Sequence, residues 1–198
     1  MTAPWPPEVT LRGQHATLDL LSASHREALV EAARDGELWK LWFTSVPAPN
    51  EMTGEIERRL ALRAEGAMLP FAVIESGSDR PVGMTTYMNI DAANRRLEIG
   101  STWYHASVQR TALNTDCKLM LLRHAFEALD CIAVEFRTHF FNHASRRAIE
   151  RLGAKLDGVL RSHALGRAGE VRDTCVYSII ASEWPAVRAH LEWQLSRG

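Results

Sequence analysis

The stretch from Tyr104 to Leu129, YHASVQRTALNTDCKLMLLRHAFEAL, constrains this chain most, because a strand end runs through a polar loop into a strongly periodic helix. Leu119, Leu122, Phe126 and Leu129 recur at helical spacing, so one face of that helix has to be buried. Strand-like runs lie on either side of it, at residues 96–104 and 132–139. A helix joining two neighbouring strands favours a parallel, right-handed crossover near the middle of a sheet.

The remaining pattern builds outward from that crossover. Residues 9–21 partly alternate, with Ala16, Leu18 and Leu20 set against Thr17 and Asp19, which predicts a half-buried strand. Ser22 or Ser24 caps a helix that reaches Arg34 and closes at Asp35-Gly36. A second helical stretch is predicted over 38–43, before a proline-rich break. Residues 51–66 then read as an amphipathic helix with Ile56, Leu60 and Ala64 on one face and charge on the other. Three strand-like runs, 70–75, 81–90 and 96–104, are separated by SGSDR and DAANR and form a meander. In the third, Leu97 and Ile99 share a face, so simple alternation puts Glu98, Gly100 and Thr102 on the opposite one. A helix over 144–152 stops at Gly153. Strands at 154–165 and 171–181 are joined by GRAG, and a tail helix covers 183–195 with Pro185 in its first turn. No composition break marks a linker, so one α/β domain over residues 1–198 is expected.

Composition excludes several classes. With 198 residues, 46% hydrophobic and 24% charged, the chain is no collagen, coiled coil or disordered segment. Lys plus Arg number 23 against 24 Asp plus Glu, which gives no broad basic field for a nucleic-acid backbone. The N-terminus, with its prolines, is expected to cross the surface before the first strand. It has no basic-then-apolar leader, and no long uncharged apolar run occurs, so neither secretion nor a membrane span is expected. Cys117, Cys131 and Cys175 form no CxxC pair and read as reduced thiols of a cytoplasmic protein. His139 and His143 are separated by a strand-to-helix junction and share no helical face, so no metal site is expected.

Backbone N–H groups at the start of the long middle helix are unpaired and carry partial positive charge. They either cap the helix with water or hold an anion such as a pyrophosphate. Around them the sequence resembles the coenzyme A loop of the GNAT acetyltransferase superfamily, in the RimJ/RimL-like branch. The carrying residues are Gln109, Ala112 and Asn114 in the loop, Leu97 to Gly100 (LEIG), Asn142 and Ser145 in NHASRRAIERLGA, and RDTCVYSII near the end. Both usual loop glycines are replaced. Ala112 is small enough for close backbone approach, and Asn114 tolerates positive φ.

The resemblance implies the GNAT fold, a mixed and mostly antiparallel sheet with splayed central parallel strands and flanking helices. It also implies acetyl-CoA as donor and an amine acceptor, with homodimers common among similar proteins. Trp103, Tyr104, His105, Gln109, Arg110, Thr111, Ala112, Leu113, Asn114 and Thr115 would line the cofactor. Arg110, Lys118 and Arg146 would add charge to the phosphates, or else be solvated surface charges. Glu98 would serve as base, or else pair with Arg95 or Arg137. A base matters because a lysine-like amine costs about 4.6 kcal/mol to deprotonate at pH 7, against about 1 for an α-amine. Asn142 would bind pantetheine and Ser145 the leaving sulfur, unless the two merely start a helix. Trp39, Trp42 and Phe43 would cover the acceptor, or pack in the core. Asp173 fits the family pattern, or else holds Arg172 or a turn. The rival reading is a coenzyme A-binding sensor or interaction module without catalysis.

Overall fold

The computed structural model describes residues 4–197 and realises this order of elements. A short β1 (Leu11–Arg12) and β2 (Ala16–Leu20) lead to α1 (Arg26–Arg34) and α2 (Met52–Ala64). The meander follows as β3 (Met68–Glu75), β4 (Arg80–Asp91) and β5 (Arg96–Tyr104). Then come α3 (Leu113–Arg123), which ends in a π-turn over His124–Ala128, β6 (Ala133–His139) and α4 (His143–Arg151). The hairpin β7 (Lys155–Leu165) and β8 (Val171–Ile180) precedes α5 (Trp184–Ser196).

The strands form one eight-stranded sheet in the order β1-β2-β3-β4-β5-β6-β8-β7. All neighbours are antiparallel except β5 and β6, the pair that α3 connects. Two apolar layers hold the helices on. One contains Leu97, Ile99, Leu121, Leu122, Val134 and Leu191 and seats α3 and α5. The other contains Leu29, Ala33, Ile56, Met84 and Trp103 and seats α1 and α2. Because the sheet and the other helices enclose α3, it is buried around most of its circumference, well beyond the predicted stripe. No helix among the described residues is long and apolar enough to cross a membrane.

The structure corrects four local expectations. Residues 1–3 of the proline-rich start lie outside the described residues; beyond them Pro6 is buried and Trp5 packs on the main core, so the segment does more than cross the surface. The helix expected over 38–43 is a single 3-10 turn, Leu38–Lys40. Thr44 Oγ1 donates to the carbonyls of Leu38 and Leu41, and Trp42 and Phe43 swing out onto other rings. On α2, Arg59 is not a surface charge. It is buried, paired with Glu55 at 2.7 Å and bonded to Thr86 Oγ1 on β4. Asp173 holds neither Arg172 nor a simple turn but pairs with Arg161 and accepts the Ser162 N–H across the β7–β8 hairpin.

Close backbone approach is demanded at Gly83 of β4, where an added Cβ would lie 2.2 Å from the Trp103 carbonyl oxygen and 2.9 Å from Tyr104 Cα. At Gly54, exposed on α2, an added Cβ meets nothing within 4 Å. Gly83→Ala is therefore expected to destabilise by about 1–3 kcal/mol, and Gly54→Ala to stabilise by about 0.5–1 kcal/mol. Urea unfolding of the two variants checks both signs.

Candidate active site

The site begins where the parallel pair stops. Only Arg96↔Ala133, Leu97↔Val134 and Glu98↔Glu135 are in register between β5 and β6. Beyond them β5 stays paired with β4 to Tyr104 and β6 with β8 to His139, so a gap opens between the two strands. A bulge helps to part them. Between Gly100 and Trp103 β5 carries one more residue than β4 opposite, and Ser101 takes a left-handed φ of 47°. Contrary to the alternation rule, the bulge turns Thr102 toward α3, away from the face of Glu98 and Gly100.

At the open end of the gap, the chain from Tyr104 to α3 forms a braced loop. Gln109 Nε2 donates to the Tyr104 carbonyl at 3.0 Å, and Thr111 Oγ1 donates to the Val108 carbonyl at 2.8 Å. His105 Nδ1 lies 2.8 Å from Asp35 at the end of α1. The left-handed residue is Arg110 (φ 63°), whereas Asn114 lies inside the first turn of α3; the conformational freedom expected at Asn114 is used four residues earlier.

The hydrogen bonds at this helix start are few. Asp116 N–H bonds to the Ala112 carbonyl and Leu113 N–H to Thr111 Oγ1. The amides of Arg110, Thr111, Ala112, Asn114 and Thr115 have no acceptor among the described residues. Such a row of N–H groups at a positive helix end is a cradle for an anion, and Ala112 adds no more than a methyl group to it. Arg110 is exposed beside it. These residues fit a diphosphate. A cavity of about 470 Å³ borders the same loop at Thr111, Ala112 and Leu113.

Other predicted cofactor residues contribute differently. Trp103, Tyr104 and Leu113 bury their side chains in the two cores, leaving only main chain to the loop. Thr115 Oγ1 accepts from Arg151 of α4. Arg146 does not reach the loop: its Nε donates to Tyr177 Oη at 3.0 Å and its Nη1 to the Phe140 carbonyl, which braces α4 against β8. Lys118 is buried as well, with Nζ donating to Thr102 Oγ1 at 2.8 Å and Thr85 Oγ1 at 3.3 Å. No carboxylate among the described residues pairs with it, and burial pulls its pKa down to about 8. It is neither a direct phosphate ligand nor a surface charge.

Glu98 is buried on the far face of β5. Asn89 Nδ2 donates to its Oε2 at 2.6 Å, and Arg137 Nε lies 3.5 Å away. Arg95, the other partner considered, pairs with Asp130 instead. Burial raises the Glu98 pKa from the ordinary carboxylate value, with the Asn89 hydrogen bond and the Arg137 charge opposing and Glu135 adding to the rise. Gly100 makes room for the carboxylate, since a Cβ there would sit 2.7 Å from Glu98 Oε1. Asn89 was invisible to sequence reasoning because a left-handed turn at its own backbone (φ 47°) brings it to Glu98.

Across the gap, Asn142 caps α4, its Oδ1 accepting the Ser145 N–H at 3.0 Å. Its Nδ2 and the Ser145 Oγ make no hydrogen bond among the described residues. Trp42 and Phe43 pack on His139 and Phe141 at the end of β6. Trp39 does not join them but packs on the core under α1 and α2. The three cysteines are buried, Cys117 with its pKa pushed up to about 12 and Cys131 to about 11, so they are packing groups rather than nucleophiles. Among the described residues no cluster of His, Cys, Asp or Glu could hold a metal ion.

Residues 15–155 match the family described as the acetyltransferase (GNAT) domain. The chain belongs to the GNAT acetyltransferase family. Members of this family use acetyl-coenzyme A. No curated protein matches the chain. Among solved structures, a GCN5-related N-acetyltransferase from Brucella melitensis is 28% identical with a TM-score of 0.86, over 97% of this chain and 87% of that one. Mycobacterium smegmatis RimJ, solved with CoA-disulfide, is 22% identical with a TM-score of 0.81, over 100% and 98% of the two chains. RimL, a ribosomal L7/L12 α-N-protein acetyltransferase solved with coenzyme A, is 18% identical with a TM-score of 0.73, over 87% and 98%. At those identities RimJ and RimL share the GNAT fold with this chain.

The buried Lys118 gives a stability test. Its folded pKa of about 8 lies below the ordinary lysine value. Between the two values the unfolded chain holds a proton that the folded chain has lost, so stability rises with pH there. Wild type is expected to gain about 3 kcal/mol on Lys118→Met between pH 7.5 and pH 10.5, read as the difference between their urea-unfolding free energies. A pH-independent difference contradicts the burial of an unpaired ammonium.

Proposed function

We propose that this chain, as one domain over residues 1–198, is an N-acetyltransferase that moves an acetyl group from acetyl-coenzyme A to a primary amine by direct attack. The observation that carries the reading is the row of unpartnered amides at Arg110–Ala112 and Asn114–Thr115, beside strands that part after three residue pairs. Those amides would hold the diphosphate, with Arg110 adding charge from the side.

Acetyl-coenzyme A supplies an activated thioester when bound. The chain has to provide three things: a proton acceptor for the amine, donors toward developing negative charge, and water exclusion. Glu98 takes the amine proton, directly or through a water. Its raised pKa makes it a better base than an exposed carboxylate, and Asn89 fixes which oxygen stays free. Ser145 Oγ, which has no hydrogen-bond partner among the described residues, would donate to the leaving sulfur, and Asn142 Nδ2 to the pantetheine amides. Trp42 and Phe43 lie over the end of β6, where they shield the acceptor side from water.

The test is mass spectrometry of a panel of amines, peptides and protein N-termini after incubation with enzyme and acetyl-coenzyme A, alongside thiol release. Transfer to at least one amine is expected. Stabilisation by coenzyme A with no transfer to any acceptor would instead support a binding module. Three variants assign the roles. Glu98→Gln is expected to lower kcat about 100-fold with unchanged coenzyme A affinity, and to remove the rise of kcat/KM with pH that a carboxylate base produces as it ionises. Ser145→Ala is expected to lower kcat more than affinity. Ala112→Glu, placing a carboxylate in the amide cradle, is expected to weaken coenzyme A binding at least tenfold in calorimetry.

A further inference from the structure

Seven buried side-chain polar atoms among the described residues meet no hydrogen-bond partner, and one of them, His139 Nε2, lies at the end of the strand that walls the gap. His139, the last residue of β6, is 4% exposed. Its Nδ1 accepts the Phe141 N–H at 3.1 Å, which places the ring proton of the neutral imidazole on Nε2. Nε2 is buried and meets no acceptor among the described residues. Around the ring stand Trp42, with centroids 4.9 Å apart, Phe141 at 5.8 Å and Phe43 at 6.4 Å. Trp42 and Phe141 are each more than half exposed. The group is thus a buried N–H donor packed against a cluster of three aromatic rings, on the strand that forms one wall of the gap.

A buried donor without an acceptor is destabilising and is rare in folded proteins unless a ligand or water completes it. The surroundings decide what kind of ligand. An aromatic cluster alone would suit an ammonium group. Here the buried group is a donor rather than an acceptor, and burial first, then the charge of Arg172, disfavours positive charge on the imidazole, with Glu170 and Asp173 acting the other way. A cation is the wrong partner for that donor, whereas an oxygen acceptor carried next to an apolar group fits both donor and rings.

We infer that His139 is a specificity-determining residue for the acceptor: Nε2–H donates to a carbonyl oxygen beside the acceptor amine while Trp42, Phe43 and Phe141 hold its apolar side chain. This rests on the acyl-transfer reading only for what happens to the amine afterwards. The acceptors selected are apolar α-amino carbonyl compounds, and simple alkyl amines and polyamines are disfavoured for want of the oxygen.

The test compares phenylalanine amide with 2-phenylethylamine, which share ring and amine and differ in the carboxamide. In the wild-type complex with coenzyme A, ring-labelled ¹H–¹⁵N spectra are expected to show the His139 Nε2–H resonance moving downfield with phenylalanine amide and staying in place with 2-phenylethylamine. Movement with both or with neither overturns the inference, whether or not turnover occurs. A shift without acetylation would sink the acyl-transfer reading alone. In kinetics, wild type is expected to prefer the amide about tenfold in kcat/KM. His139→Leu should bring that ratio toward one, and His139→Gln, which keeps a donor, should restore part of it. A ratio unaltered in His139→Leu, folded by its melting curve, likewise overturns the inference.

Discussion

Between β5 and β6 the sheet holds together through three residue pairs and then parts, and the geometry of the candidate site follows from that parting. Parallel strands require a crossover, and α3 supplies it, so its N-terminus arrives at the mouth of the gap it spans. The bulge at Ser101 bends β5 away from β6 and turns Thr102 inward to meet Lys118. The same parting leaves the end of β6 without a neighbour on that side, and the segment carrying Trp42 and Phe43 covers it. Its far end is tied to the β7–β8 turn by Arg167, whose Nη2 donates to the Val46 carbonyl.

Charge is distributed to suit an anionic donor without making the chain basic. Net charge is −1, so attraction has to be local. Among the described residues, five amides of the loop and helix start have no acceptor, Arg110 is exposed beside them, and the ammonium of Lys118 bonds to Thr85 and Thr102 with no carboxylate paired to it. On the opposite face the buried Glu98 is tempered by Asn89 and Arg137. The two signs are separated by β5 itself, which keeps the proposed base from repelling phosphates.

Much of this was legible in the sequence. The strands of the meander, the long middle helix and the parallel crossover were visible because periodicity and turn residues are local signals. The loop from Gln109 to Asn114 was legible through its resemblance to a known pattern. What sequence reasoning missed depended on partners distant in the chain. Alternation assigned Thr102 to the wrong face because a bulge is decided by pairing with β4. Lys118 and Arg146 read as charges for solvent or phosphate, yet Thr85, Thr102, Tyr177 and the Phe140 carbonyl capture them. The short helix over 38–43 gave way to a single turn, where Thr44 Oγ1 donates to the Leu38 and Leu41 carbonyls and Trp42 and Phe43 turn onto the rings at the end of β6. Nothing about His139 in isolation separates a core histidine from one with a free N–H; only the folded surroundings do.

The central claim is that the amides at the start of α3 lack protein acceptors and are completed by coenzyme A. Amide hydrogen exchange at single-residue resolution tests it most directly. Without coenzyme A, Arg110, Thr111, Ala112, Asn114 and Thr115 are predicted to exchange fast while Asp116 is protected, and all five to slow markedly once it is added. Protection of those five already in the free protein, or fast exchange persisting in the complex, would contradict the account.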